Sequence, residues 1–236
     1  MRMLQIACKD PFGKGIMQAY KNENLILEKF EVGPFMVNAY IIGCLKSGQA
    51  AIVDPGDQGD LLLKRCRELK LTPKYILNTH GHADHIMDNR YVKEHSQAQI
   101  VIHPDDAGML TDPQLNVSAL FAMPLTSPPA DLYFREGEIF HVGEIPFEVL
   151  HLPGHSPGSV CLFHDPIVLV GDVLFAGSIG RTDFPGGSYE VLVNNIRNKL
   201  LPLGDQVQAF PGHGPETTLG RERRSNPFLN DAIFGL

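Results

Sequence analysis

Thr79-His80-Gly81-His82-Ala83-Asp84-His85 packs three imidazoles and a carboxylate into one short run. The residues just before it, Tyr75–Asn78, predict a buried strand, and those after it predict a helix through Glu94. Neutral imidazole and carboxylate suit borderline divalent metals such as zinc and iron. Gly81 and Ala83 are small, so the backbone can turn tightly and aim successive side chains in different directions. His80 and His82 are read as serving one metal, and Asp84 and His85 as facing a second. A surface polyhistidine loop would have no reason to carry a carboxylate among its imidazoles directly after a strand.

Three further ligand-type residues lie downstream, each near a predicted strand end and each beside glycine. His155 sits in Leu152-Pro153-Gly154-His155-Ser156-Pro157-Gly158, Asp172 in Leu169-Val170-Gly171-Asp172, and His213 in Phe210-Pro211-Gly212-His213-Gly214. Singly, each reads as a turn or cap residue. Together with the His-rich run they predict loops converging at one edge of a sheet. The inventory divides into two trios: His80, His82 and His155, and Asp84, His85 and His213. Asp172 can bridge them through its two oxygens. A structural metal site is closed by four protein ligands, whereas trios with open positions describe a catalytic site with two divalent ions per chain. Zinc is the first expectation, and the same donors accept iron or manganese.

Short β-favouring segments at Ile26–Val32, Ala39–Ile42 and Ala50–Val53 precede this region, separated by Gly, Pro and Asn. Leu61, Leu62, Cys66 and Leu69 recur at helical spacing, which predicts a helix over Gly59–Leu69. Strands are predicted at Gln99–His103, Phe147–Leu152, Val160–His164, Ile167–Val170 and Gln208–Phe210, a proline-rich loop over 111–130, and a helix over Tyr189–Leu200. This order favours one α/β domain, with two sheets packed between helices, over residues 25–236. Residues 1–24 show no periodicity and are read as an N-terminal extension.

Hydrophobic residues make up 43% of the chain, enough for a sizeable core. No apolar run approaches the roughly 20 residues of a membrane span. The net charge of −7 argues against a nucleic-acid partner. Cys8, Cys44, Cys66 and Cys161 are scattered with no CxxC pairing, and the N-terminus lacks an apolar signal region, so a cytoplasmic location is expected.

The order His80-x-His82-x-Asp84-His85, His155, Asp172, His213 resembles the metallo-β-lactamase fold hydrolases, from about Leu25 to Leu229. The resemblance implies an αββα four-layer sandwich with a dinuclear site at one edge, and metal roles for all seven residues. Gly154-His-Ser-Pro-Gly158, Gly171-Asp-Val-Leu-Phe175 and Asn226-Pro-Phe-Leu229 look most like the short bacterial glyoxalase II (hydroxyacylglutathione hydrolase) group. Activity as a thioester hydrolase follows from that likeness, with a metal-bridging hydroxide attacking a small-molecule thioester, Asp84 and Asp172 as catalytic carboxylates, and Arg181 binding substrate. Two features depart from long glyoxalase II enzymes. The stretch after His213 is too short for their C-terminal helical domain, whose basic residues bind glutathione, and Ser159 stands where many carry another histidine. The alternative is a mononuclear Fe(II) persulfide dioxygenase, because both groups keep the Asp84-His85 pair, and Gly180-Arg-Thr-Asp-Phe184 is similar to a segment shared by short bacterial glyoxalase II-like proteins and persulfide dioxygenases. Among the other histidines, His95 reads as a helix-end residue, His103 as a loop or helix-entry residue, and His141 and His164 as peripheral, while His151 is close enough to the site for a role in orienting His155 to stand as a minor alternative.

Overall fold

The computed structural model describes residues 17–230. The first sheet runs in chain order: β1 (Met17–Lys21), β2 (Leu25–Val32), β3 (Val37–Cys44), β4 (Gln49–Val53), β5 (Thr72–Leu77), β6 (Gln99–Ile102) and β7 (Leu132–Tyr133). Its first four strands are antiparallel, and β4 through β7 pair in parallel. The parallel pairs need crossovers. The helix α1 (Gly59–Glu68) supplies one, and the short helices α2 (Ala83–Ile86) and α3 (Asn89–Ser96) supply the next. The second sheet contains β8 (Ile139–Val142), β9 (Ile145–His151), β10 (Val160–His164) and β11 (Ile167–Gly171). A two-stranded ribbon, β12 (Leu174–Phe175) with β13 (Ser178–Ile179), follows. The sheet is completed by β14 (Gln208–Pro211) and β15 (Thr217–Thr218), in the order β15-β14-β11-β10-β9-β8.

The period-two rule for strands explains the layers. Along β2 and β3, Leu25, Leu27, Tyr40 and Ile42 join the core between the sheets. The alternate residues Ile26, Phe30, Ala39 and Ile41 join a second core with Leu62, Cys66 and Val92 of the helices. In β11, Ile167 and Leu169 point to the central core. Val168 and Val170 point to a third core with Leu192, Ile196 and Leu200. Strands buried on both faces read as near-continuous apolar runs, as these do. Three cores between four layers make the αββα sandwich that the sequence predicts, in a single domain.

The differences have physical causes. β1 pairs with β2, so the sheet begins ahead of the boundary drawn at residue 25. Residues 1–16 of the expected extension, and 231–236, lie outside the described residues. The single helix expected through Glu94 is broken at Asp88 (φ −100°, ψ 10°), whose carboxylate accepts from Gly59 N at 2.7 Å and so caps α1. The helix expected over Tyr189–Leu200 is α4 (Tyr189–Asn195) continued by a π turn (Ile196–Leu200). Within 111–130 a 3₁₀ turn forms at Ser118–Phe121.

Candidate metal centre

All seven predicted residues follow the carboxyl ends of strands. His80, His82, Asp84 and His85 follow β5 of the first sheet, and His155, Asp172 and His213 follow β9, β11 and β14 of the second. Backbone hydrogen bonds between the sheets set the two edges against each other. Val160 N donates to Thr79 O (2.9 Å) and Asn38 N to Gly212 O (2.7 Å). Tyr40 Oη donates to Pro211 O at 2.7 Å, fastening the loop that carries His213. Gly212 is required by close approach, since a Cβ there would collide with Asp172 Oδ1 and His85 Cε1.

The structure gathers six of the seven side chains into the two expected trios, with Asp172 beside both. In the first, His82 Nδ1 lies 2.9 Å from His155 Nε2, which lies 3.2 Å from His80 Nε2. In the second, His213 Nε2 is 3.3 Å from both His85 Nε2 and Asp84 Oδ2. Nitrogens bound tetrahedrally to zinc at 2.0–2.1 Å stand about 3.3 Å apart, close to these spacings. Asp172 Oδ2 is 3.7 Å from His155 Nε2 and 3.6 Å from His213 Nε2, so one oxygen faces both trios. Its Oδ1 is buried, 3.4 Å from His85 Nε2, and meets no hydrogen-bond geometry among the described residues. An orphaned buried carboxylate oxygen is costly unless a cation or donor meets it. On this geometry the donor set fits divalent metal ions.

Neighbouring groups choose which nitrogen each ring presents. His85 Nδ1 donates to Asp54 Oδ2 (3.0 Å), and His155 Nδ1 to the carbonyl of Arg181 (2.8 Å), which leaves both Nε2 atoms facing the centre. Asp54 also accepts from Thr79 N (2.8 Å) and Thr79 Oγ1 (2.6 Å). A second buried carboxylate, Asp106, ties the two histidine loops together. It accepts from Gly81 N (3.0 Å), Ser156 Oγ (2.6 Å) and Gly158 N (2.6 Å). Sequence reasoning missed both. Asp54 directly follows β4, the same signal that marks Asp172, but Pro55 and Gly56 after it spell a turn, which gives an aspartate there an ordinary local reason. Asp106 carries no local signal of its role.

The trios differ electrostatically. Burial, reinforced by adjacent imidazoles, holds His80 well below the ordinary histidine range and His82 down to about 3, so both are neutral. Burial opposes charge on His85 as well, but Asp172, Asp84 and Asp54 outweigh it and raise its pKa. His213 is raised against burial by Asp84 and Asp172. Burial disfavours the charged carboxylates of Asp84 and Asp172, yet their histidine neighbours lower both.

A cleft of about 650 Å³ opens above the centre, and Arg181 and Ser178 are among its lining residues. The Arg181 guanidinium is engaged with Asp183, Nε to Oδ1 and Nη2 to Oδ2, both at 2.7 Å, and lies 3.6 Å above the Phe184 ring. His151 reaches the loop that carries His155, whose own Nδ1 is held by the Arg181 carbonyl. It bonds the carbonyl of Pro157 (2.8 Å) and stacks on His103 at 3.8 Å. His103, Asp105 and His151 form a further cluster outside the cleft, with donor atoms within 4.8 Å of one another and the two rings stacked. Ser159 bonds Ser156 within the network of Asp106. Among the described residues no helix is long and apolar enough to cross a membrane.

An αββα sandwich with two His/Asp trios at its open edge defines a class of metal-dependent enzymes. The chain belongs to the metallo-beta-lactamase superfamily, whose family model matches residues 32–213. It is 43% identical over 185 residues to the hydroxyacylglutathione hydrolase GloC of Haemophilus influenzae, covering 77% of this chain and 87% of that protein. The crystal structure of the BLEG-1 B3 metallo-beta-lactamase superposes with a TM-score of 0.82 at 38% identity, over 86% of this chain and 99% of the other. TTHA1623 in a di-iron-bound form superposes with a TM-score of 0.75 at 35% identity, over 85% of this chain and 99% of the other. Family, hydrolase relative and donor set together support a metal-dependent hydrolase.

Proposed function

We propose that this chain is a dinuclear hydrolase of small-molecule thioesters, with His80, His82 and His155 holding one ion and Asp84, His85 and His213 the other. The observation that carries the reading is Asp172, whose Oδ2 stands between the trios. The likeness to GloC adds the substrate class. Two bound divalent ions supply an activated water and polarise the thioester carbonyl. The chain's own groups do the rest. Asp54 and the Arg181 carbonyl fix the tautomers of His85 and His155. Asp84 and Asp172, kept ionised by their histidine neighbours, would hold the ions and orient the attacking water, whose proton ends on the leaving thiolate or in solvent. The C–S bond then breaks, and the leaving thiolate, with an ordinary pKa near 8.5, needs little help from an acid.

The likeness to GloC favours this reading over a mononuclear iron oxygenase, which would use two histidines and one carboxylate of the same donor set. The test is thiol release from S-lactoylglutathione and from neutral acyl thioesters by metal-loaded protein, with oxygen uptake on glutathione persulfide followed in parallel. Thiol release without oxygen uptake is expected. Oxygen uptake without thiol release would overturn the reading.

A further inference from the structure

The metals would occupy only the floor of the cleft; its wall is apolar. Phe35, Val117, Phe121, Met123, Leu125 and Phe175 line it, and Phe35 meets Phe121 edge to face at 6.3 Å. Phe121 and Met123 are 52% and 53% exposed. Large apolar side chains left in water beside a reactive centre mark a surface that a ligand covers.

This wall is built in place. Val117, β-branched, holds φ 62° and Ala122 holds φ 56°, both in the left-handed region that such residues rarely adopt. Asn116 secures the strained segment. Its Nδ2 donates to Met109 O (2.9 Å) and Leu125 O (3.0 Å), and its Oδ1 accepts from Ser118 N (3.1 Å). Ser118 Oγ accepts from Leu125 N at 3.0 Å. Ala83 N, one residue from His82, donates to Asn116 O (3.1 Å), which ties the wall to the metal-binding run. Among the described lining residues Arg181 is the single lysine or arginine, and Asp183 already takes its charge. A carrier with two carboxylates, such as glutathione, therefore meets no lysine or arginine among the described lining residues that is free of a carboxylate partner.

We propose that the cleft selects thioesters with an apolar acyl chain of several carbons, seated against Phe121, Met123 and Phe35, with the polar thiol carrier directed toward solvent. Common thiol carriers are polar, so the apolar part falls to the acyl group. The inference rests on the thioester reading above.

The test is kcat/KM for acetyl, butyryl, hexanoyl and octanoyl thioesters of N-acetylcysteamine with metal-loaded protein, alongside S-lactoylglutathione. A rise of about two- to fourfold per added methylene is expected, the upper value corresponding to full burial at about 0.8 kcal/mol per CH₂. Phe121→Ser and Met123→Ser should each flatten the series while metal content holds. S-octyl-N-acetylcysteamine should inhibit more tightly than its S-ethyl analogue. A flat series, a series unmoved by both variants, or S-lactoylglutathione surpassing the octanoyl ester would overturn the proposal and leave thioester hydrolysis standing. A dimer that Phe121→Ser dissociates, with the series unchanged, would assign the patch to self-association and also overturn it. Failure to hydrolyse any thioester with two ions bound would remove the thioester reading and this proposal together.

Discussion

At the floor of the cleft, seven polar side chains arrive from the ends of four strands in two sheets, and buried carboxylates hold the loops that present them. At the wall, the apolar side chains on 117–125 ride one loop, with Phe121 and Met123 half in water, on a strained backbone pinned by Asn116 and Ser118. The floor tolerates almost no displacement, because six of its ring nitrogens and carboxylate oxygens stand 2.9–3.3 Å from a neighbour. The wall has only to present hydrophobic area, which is non-directional. The chemistry is thereby separated from the choice of substrate: one is set by strand geometry, the other by a loop.

Substitutions at the two regions should divide in the same way. The largest effect is expected for Asp172→Ala and His82→Ala, which should lower turnover about a thousandfold or more and reduce bound metal. Full turnover in either variant would break the division. Asp106→Ala strands three buried donors and should destabilise the fold by about 3 kcal/mol in urea unfolding. An unchanged midpoint would mean the histidine loops do not need this clamp. Asp54→Asn leaves the fold in place but loosens the tautomer of His85, so metal affinity measured by chelator competition should fall about 10- to 100-fold. At the wall, Phe121→Ala should shift stability by no more than about 0.5 kcal/mol, since the ring is half exposed. The smallest effect is expected for Arg181→Ala. An exposed ion pair contributes about 0–1 kcal/mol, so KM for a neutral acyl thioester should change less than about fivefold. A larger rise would place the Arg181 charge on the substrate after all.

The same contrast explains what the sequence made legible. Histidines and aspartates beside glycines after β-favouring runs carry a local signature, and all seven converge as the spacing implies. The layered fold was readable because strands buried on both faces are apolar throughout, as β3 is. Asp54 and Asp106 escaped because their partners lie 25 to 52 residues away, and no local pattern encodes such contacts. The wall escaped for a related reason. Leu115 through Leu125 has no strand or helix period, and turn residues flank it, so its apolar side chains read as loop filler. Arg181 was legible as a cation near the site, but its pairing with Asp183 was not.

The central claim is that both trios are occupied at once and that Asp172 serves both. Its most direct test is the number of ions per chain, measured on zinc- or iron-loaded wild-type protein and on His82→Ala and His85→Ala, with thioester turnover followed on the same samples. The account predicts two ions in the wild type, a reduced count in each variant, and turnover only where two are bound. One ion per wild-type chain with full turnover, or turnover that survives complete removal of metal, would contradict it.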